Sequence, residues 1–243
     1  YPVSVIRNGD ELRAYYAGWT RCESVPFNVA IGMATSCDGG DTFTKLGTGP
    51  ILSYSPDEPF VLSGPKIRRF SETWYLWYIA GRKWKVVDGR AEPVYKIRMA
   101  TSGDGIHWNK LNKDLIESRI EEDEAQASPD VFYANGKYHM FFCYRYSSHY
   151  RGKQNGYRIG YASSTDLSVG RRLGCRDDKL PACVRTGRQD LYGLPRQPGW
   201  PTRFWAGRAG WKVGLSNEVE KAWQDIRSDT AHTAARLRAV RPV

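Results

Sequence analysis

The sequence lacks the features that mark membrane-spanning, disulfide-bonded and zinc-binding proteins. No apolar run reaches the roughly 18 residues of a transmembrane helix, and no signal-peptide pattern is visible. The five cysteines are an odd number and none forms a C-x-x-C pair, so neither a disulfide framework nor a zinc site is predicted. We expect buried free thiols in a reducing, cytoplasmic compartment, no membrane association, and no metal or cofactor.

The net charge of +10 is concentrated in the last third of the chain. Residues 1–168 hold 21 Lys and Arg against 19 Asp and Glu, a balance of +2, whereas residues 169–243 hold 15 against 7, a balance of +8. A basic stripe along a folded domain would indicate nucleic acid. The larger part of the chain is nearly neutral, so we expect no nucleic-acid partner.

One short pattern occurs three times. It reads I-x-x-A-T-S followed by an Asp-Gly turn at residues 31–45 and 97–110, and it recurs, cut short, at 159–167. Glycine tolerates positive φ and Asp bonds its own backbone, so the pattern predicts a strand, a tight turn and a second strand. Three copies of one unit indicate a repeat architecture.

Each copy has a front half in which a strand, a turn and an aromatic-rich strand follow a proline. The prolines Pro2, Pro65 and Pro129 are spaced by 63 and 64 residues. The sequence therefore predicts an all-β fold of about three four-stranded antiparallel blades of a β-propeller, in units at about 1–53, 54–118 and 119–167. We expect long loops within the units at 20–28, 82–95 and 145–156. A β-sandwich with similar strands is the alternative, and a solenoid fits the period less well.

The repeat pattern ends after Leu167. Residues 168–215 are rich in Arg, Gly and Pro without alternation, which predicts an irregular tail, and 216–243 have the spacing of an amphipathic helix. Allowed codons for residues 180–199 can be chosen that, read one nucleotide later, spell a fourth front half. This is our hypothesis of a frameshift near Ser168. Because Tyr1 stands in a strand pattern, we also expect the chain to be a fragment that is unstable or inactive alone.

The blade motifs resemble those of the five-bladed propeller glycosidases, a group that includes arabinanases, xylosidases, invertases and mannoside phosphorylases. The resemblance covers residues 1–167 and includes P-x-h-h, N/D-G-K-x-Y-x-h-h-Y and I-x-x-A-T-S-x-D-G-x-x-W, where h is apolar. It implies a funnel on the propeller axis, lined by the first strand of each blade. Paired carboxylates there act on glycosidic bonds, one as the general acid and one as the base or nucleophile.

In this resemblance an acidic residue often stands just before the proline of a blade. Here the residues two positions before the second and third prolines are Ser63 and Ala127, which are not acidic. The nearby acids become the candidates, so we expect Glu124 and Asp130 to form the catalytic pair, with Glu58 in reserve. The alternative is that residues 121–124 form a solvated acidic loop.

Basic and aromatic residues near the blade starts are the candidates for binding substrate. Strand alternation puts Lys66 and Arg68 on one face, where they would hold a phosphate or carboxylate. The alternative is that they are rim charges paired with Glu58 or Glu92. The predicted substrate-binding residues are Lys66, Arg68, Arg82, Arg145, His149 and Trp19.

Two functions are open at this point. The first is a carbohydrate-active, glycoside hydrolase-like enzyme acting with paired carboxylates on a sugar, with an anionic or phosphorylated sugar as the favoured partner. The second is a propeller domain that binds a sugar or sugar phosphate without turnover. The displaced carboxylates at the blade starts favour the second.

Overall fold

A computed structural model describes residues 3–167. These residues form eleven β-strands in three antiparallel sheets and no helix, which confirms the predicted all-β partial propeller. It follows that this part of the chain contains no helix able to span a membrane. The irregular tail at 168–215, the helix at 216–243, the frameshift and Pro2 all lie outside the described residues.

Each sheet is one blade, built in chain order. Blade 1 comprises β1 (Val3–Asn8), β2 (Glu11–Thr20), β3 (Asn28–Ser36) and β4 (Thr44–Lys45). Blade 2 comprises β5 (Phe60–Phe70), β6 (Thr73–Val87), β7 (Arg90–Ser102) and β8 (Asn109–Lys110). Blade 3 comprises three strands, β9 (Ala125–Ala134), β10 (Lys137–Arg145) and β11 (Arg158–Ser164).

The repeated A-T-S-x-D-G pattern builds the outer turn of a blade. In blade 2 the Ser102 hydroxyl donates to Asp104 Oδ1 at 2.9 Å and accepts from the amide of Gly105 at 2.8 Å. In blade 1 Ser36 makes the same bond to Asp38 at 2.6 Å. The motif therefore has a structural role, because its serine and aspartate side chains form the hydrogen bonds that hold the turn.

Neighbouring blades pack through two opposite faces. We call the face that meets the next blade the trailing face, defined by Tyr15, Ile31 and Met33 in blade 1 and by Trp77, Ile97 and Met99 in blade 2. The opposite, leading face is defined by Ile67, Leu76, Tyr78 and Ala100 in blade 2 and by Val131, Met140, Phe142 and Ala162 in blade 3. Each trailing face and the next leading face form one buried core, so stacking of blades is what buries their apolar side chains.

The first strands of the blades lie side by side, because β5 packs against both β1 and β9. This is the inner edge expected of a propeller. The prolines do not open these strands, however: β5 begins at Phe60 and β9 at Ala125, ahead of Pro65 and Pro129. Gly64 and Ser128, directly before the two prolines, both have positive φ, of 58° and 52°. The backbone kink at each proline is tolerated within the strand because these strands lie at a sheet edge.

The prediction of a loop at 82–95 is wrong. Strands β6 and β7 continue past the sheet as a two-stranded ribbon that turns at Asp88 and Gly89, both with positive φ. An Asp-Gly pair with two positive φ values is the preferred tight hairpin turn, and this is why the chain stays extended on both sides. A bulge at Arg82 separates the ribbon from the sheet below it.

Candidate functional site

Three charged side chains meet where the first strands of blades 2 and 3 lie together. Lys66 Nζ is 2.8 Å from Asp130 Oδ2, and Arg68 Nη2 is 2.8 Å from Asp130 Oδ1. The Asp130 carboxylate nevertheless keeps 52% of its side-chain surface exposed. Arg68 also donates from Nε to the Val131 carbonyl at 2.9 Å, which fixes the guanidinium beside the carboxylate. The cluster is thus both preorganised and open to solvent.

Strand register shows that this cluster uses the same position in successive blades. Ser4, Lys66 and Asp130 pair with Tyr15, Trp77 and Phe141, which are themselves equivalent in the second strands. Ser4 accepts a hydrogen bond from the amide of Ile67 at 3.1 Å, so it too reaches the next blade. One register position therefore supplies the side chains at which neighbouring first strands meet.

Glu58 lies in the segment that joins blade 1 to blade 2 and is fully buried. Its Oε1 accepts from the Tyr78 hydroxyl at 2.8 Å and from Arg98 Nη1 at 3.2 Å, and Lys110 Nζ is 2.7 Å from its Oε2. Burial, followed by the neighbouring Glu58 carboxylate, raises the pKa of the Tyr78 hydroxyl far above its usual value. Glu58 holds the joining segment against blade 2 through these contacts.

Glu124 occupies the corresponding place before blade 3 and is also buried. Its Oε2 accepts from the backbone amides of Arg119 and Ile120 at 2.9 and 3.1 Å, and its Oε1 accepts from Gln126 Nε2 at 2.8 Å. With two donors in the connection and the third, Gln126, in β9, the carboxylate fixes the shape of the connection and joins it to the strand. Glu124 and Asp130, the predicted catalytic pair, are thus bonded to different groups.

The ribbon carries Arg82, which lies 3.6 Å from Asp114 Oδ1. The same carboxylate oxygen accepts from Arg98 Nε at 2.8 Å, so Arg82 joins the outer side of the Glu58 cluster. Farther along, Lys83 Nζ is 2.8 Å from Asp123. These pairs tie the ribbon to the segments between blades rather than to the Asp130 cluster.

Arg145 is fully buried at the end of β10 in a cage of tyrosines. Its guanidinium carbon is 3.5 Å from the Tyr150 ring centroid and 5.1 Å from that of Tyr95, an arrangement that stabilises a desolvated cation. Tyr150 in turn donates to Glu92 Oε2 at 2.5 Å, and Arg151 pairs with the same carboxylate. The cage was not predicted, because its tyrosines come from a strand of blade 2 and from the loop between two strands of blade 3.

The remaining two predicted residues, His149 and Trp19, have partners outside the Asp130 cluster. His149 Nδ1 is 3.4 Å from Asp88 Oδ2, and both side chains are largely exposed. Trp19 packs against Phe27, with ring centroids 4.4 Å apart, and Phe27 packs edge-on against Trp84 of the ribbon at 5.2 Å. The ribbon therefore contacts blade 1 through aromatic rings and blade 3 through charged groups.

The structure brings together Lys66, Arg68 and Asp130 of the predicted set. It places Glu58 with Arg82 through the shared neighbour Arg98, and it gives Glu124, Arg145, His149 and Trp19 separate surroundings. Within residues 3–167 no group of three or more His, Cys, Asp or Glu side chains is arranged to hold a metal ion. Anion and hydroxyl recognition is the chemistry that the exposed cluster supports.

Sequence comparison finds relatives of unknown activity. No protein-family model matches the chain. Two uncharacterized proteins of Mycobacterium tuberculosis are each 33% identical over 192 residues, which is 79% of this chain. The chain spans 60% of the length of each of these relatives.

Structure comparison identifies the fold. A GH32 beta-fructofuranosidase of Bombyx mori is 25% identical with a TM-score of 0.52, over 67% of this chain and 33% of the enzyme. A family 117 glycoside hydrolase of Zobellia galactanivorans has a TM-score of 0.53 at 18% identity, over 68% of this chain and 52% of that one. The described blades have the five-bladed glycosidase-like propeller fold. This confirms the resemblance inferred from the motifs at the level of the fold.

Proposed function

We propose that this glycosidase-like propeller is carbohydrate-active and contacts its sugar through Asp130, Lys66 and Arg68. The observation that carries the proposal is the half-exposed Asp130 carboxylate of β9, held by two cations of the adjacent first strand, β5. Such a carboxylate accepts hydrogen bonds from sugar hydroxyls, and the lysine and arginine donate to them. The GH32 relative from Bombyx mori has also been solved, as a variant, in complex with sucrose.

Within the proposed reaction, Asp130 acts as the base or nucleophile. Glycosidic bond cleavage requires a second carboxyl group, which serves as the general acid on the other side of the bond. Glu58 and Glu124 are buried, and Glu58 is bonded to side chains of blade 2 while Glu124 is bonded to its own connection and to Gln126, so their described contacts support structural roles instead. We therefore propose that the acid comes from a part of the propeller outside residues 3–167.

The charge of the cluster favours an anionic sugar. Two cations face one carboxylate, which leaves one positive charge near a solvent-exposed surface. A uronate or a sugar phosphate would complete the charge balance, and the arginine offers the paired donors that such groups accept. The anionic substrate class extends the proposal of a carbohydrate substrate. It can be refuted while the proposal of a carbohydrate substrate still stands.

The second candidate is sugar binding without turnover. It is favoured by the burial of Glu58 and Glu124, because two of the three carboxylates predicted for catalysis have almost no surface at which a sugar could touch them. In that case the Asp130 cluster forms a binding site only. The two candidates share the same residues and differ in whether a bond is cleaved.

The test measures turnover and binding on the full 243-residue chain. Turnover of a panel of 4-nitrophenyl glycosides and calorimetric binding of glucose, glucuronate and glucose 6-phosphate are compared between the parent chain and Asp130→Asn. We expect Asp130→Asn to abolish turnover and to weaken sugar binding. Glu72→Gln, at an ion pair whose glutamate is 90% exposed, is the matched control and should change neither.

The outcomes separate the proposals. Turnover that survives Asp130→Asn would remove Asp130 from catalysis, and unchanged sugar binding would remove it from the site. Binding of the sugars by the parent chain with no turnover of any glycoside would support the second candidate. Lys66→Met should erase a preference for glucuronate over glucose, and a preference that persists would refute the anionic substrate class alone.

A further inference from the structure

The first strands of blades 2 and 3 have an extra residue at the same place. From Ser63 to Lys66, three steps along β5 lie against two steps along β6. From Ala127 to Asp130, three steps along β9 lie against two steps along β10. Each of these first strands therefore has a β-bulge directly before the residue that it contributes to the Asp130 cluster.

The extra residue decides which way the following side chains point. Side-chain direction alternates along a strand, so one inserted residue exchanges the faces of all the residues after it. With the bulges in place, Ile67 and Val131 are buried in the cores between blades, and Lys66 meets Asp130 at 2.8 Å. Without them, each of these charged residues would exchange faces with the apolar residue beside it.

The bulges are formed by Gly64 and Ser128, the residues before the two prolines. Their φ values are 58° and 52°, in the left-handed region that glycine enters freely and other residues enter at a cost. The Ser128 side chain is exposed, so packing of this side chain does not offset the cost. Blade 3 therefore keeps a strained residue at a place where blade 2 has a glycine.

We infer that Ser128 is a positioning residue, whose left-handed backbone turns the Asp130 carboxylate toward Lys66 and Arg68. Gly64 does the same for Lys66 from the other side of the contact. Strained residues of this kind persist where the surrounding structure holds them and function needs the direction that they give. The inference concerns the geometry of the cluster, and its bearing on sugar binding rests on the proposed function.

The test measures how closely Asp130 approaches Lys66 in the full 243-residue chain. A carbodiimide activates a carboxylate, and a lysine amine in contact with it displaces the urea and forms an amide bond, which mass spectrometry of tryptic peptides detects. The Lys83–Asp123 pair, also at 2.8 Å, reports on the same reaction outside the bulges. Ser128→Gly should cross-link like the parent chain, because glycine adopts the same backbone conformation.

Two substitutions should misdirect the carboxylate to different degrees. Ser128→Pro fixes φ at about −65° and excludes the left-handed region. The yield of the Asp130–Lys66 cross-link should then fall at least about fivefold relative to that of Lys83–Asp123. Ser128→Val only disfavours the left-handed region and should give an intermediate yield. Circular dichroism checks that each variant folds, and the valine variant decides alone if the proline variant does not.

The outcomes separate the geometry of the cluster from its function. The inference is overturned if the parent, proline and valine variants cross-link equally, if Ser128→Gly loses the cross-link, or if the parent chain forms only the Lys83–Asp123 one. Glucuronate binding, measured by calorimetry, should weaken in the proline and valine variants and not in the glycine variant. If the cross-link falls as expected and glucuronate binding is unchanged, the inference holds and the proposed function fails.

Discussion

The buried Glu58 cluster gives a sharp prediction for stability. Glu58→Gln keeps the shape of the side chain but removes the negative charge that lies between Arg98 and Lys110. Arg98 keeps Asp114 as a partner at 2.8 Å, whereas Lys110 retains a backbone contact, the Ser53 carbonyl, and a weaker one, the Ser55 hydroxyl. The substitution therefore leaves a positive charge poorly compensated inside the protein.

The expected loss follows from the cost of an unpaired buried charge. Removing one partner of a buried ion pair costs about 3–5 kcal/mol, and we expect Glu58→Gln to fall at the lower end because Arg98 remains paired. For a domain of this size each kcal/mol lowers the melting temperature by about 2–4 °C. The melting temperature of the variant should therefore fall by roughly 6–12 °C, measured by circular dichroism together with urea unfolding.

Two further variants test the reasoning. Glu72→Gln removes the same group from an exposed pair and should change the free energy of unfolding by less than about 0.5 kcal/mol. The double variant Glu58→Gln with Lys110→Met removes both charges and should recover most of the loss. The reasoning is refuted if Glu58→Gln is no more destabilising than Glu72→Gln, or if the second substitution adds to the loss.

Two other predictions concern packing and pH. Gly160→Ala should cost about 1–3 kcal/mol in unfolding free energy, because the new methyl would overlap the Phe142 ring; Gly103→Ala, which has open space around it, is the control, and equal losses would contradict the explanation. Hydrogen bonds from the His107 side chain and backbone lower the pKa of Asp104 below its ordinary value. The stability that the Asp104 carboxylate gives to this turn should therefore be present above about pH 4 and be lost as the pH falls toward the folded-state pKa. If Asp104→Asn loses as much stability as the parent chain in an acid titration, this explanation is refuted.

Much of the fold was predictable because its signals are local. The Ser–Asp–Gly turn sits at a fixed place in the first two copies, and the aromatic alternation before it marks the second strand of each blade. The ribbon was missed although Asp88-Gly89 is a strong hairpin signal. Its flanks, from Arg82 to Lys85, are dense in positive charge, and charge of this kind is more common in loops.

The candidate site was less predictable because burial depends on distant partners. Glu58 and Asp130 look alike in the sequence, as acidic residues close to a blade start. The side chains that bury Glu58 lie on the outer strands, at Arg98 and Lys110, and no local pattern links these residues to it. Lys66 and Arg68 were placed correctly on one face by alternation, but their partner Asp130 belongs to the next repeat.

Arg98 stands where the other two blades have Gly32 and Gly160. This difference distinguishes blade 2 from the other two blades. The Arg98 guanidinium contacts Glu58 and Asp114, which lie in the two connections on either side of the blade. Glu58, Arg98 and Asp114 all fall within the repeat at about 54–118, so a rearrangement of whole repeats would move the arginine together with both acids. The middle blade therefore brings its own partners for this buried charge, wherever the repeat stands in the chain.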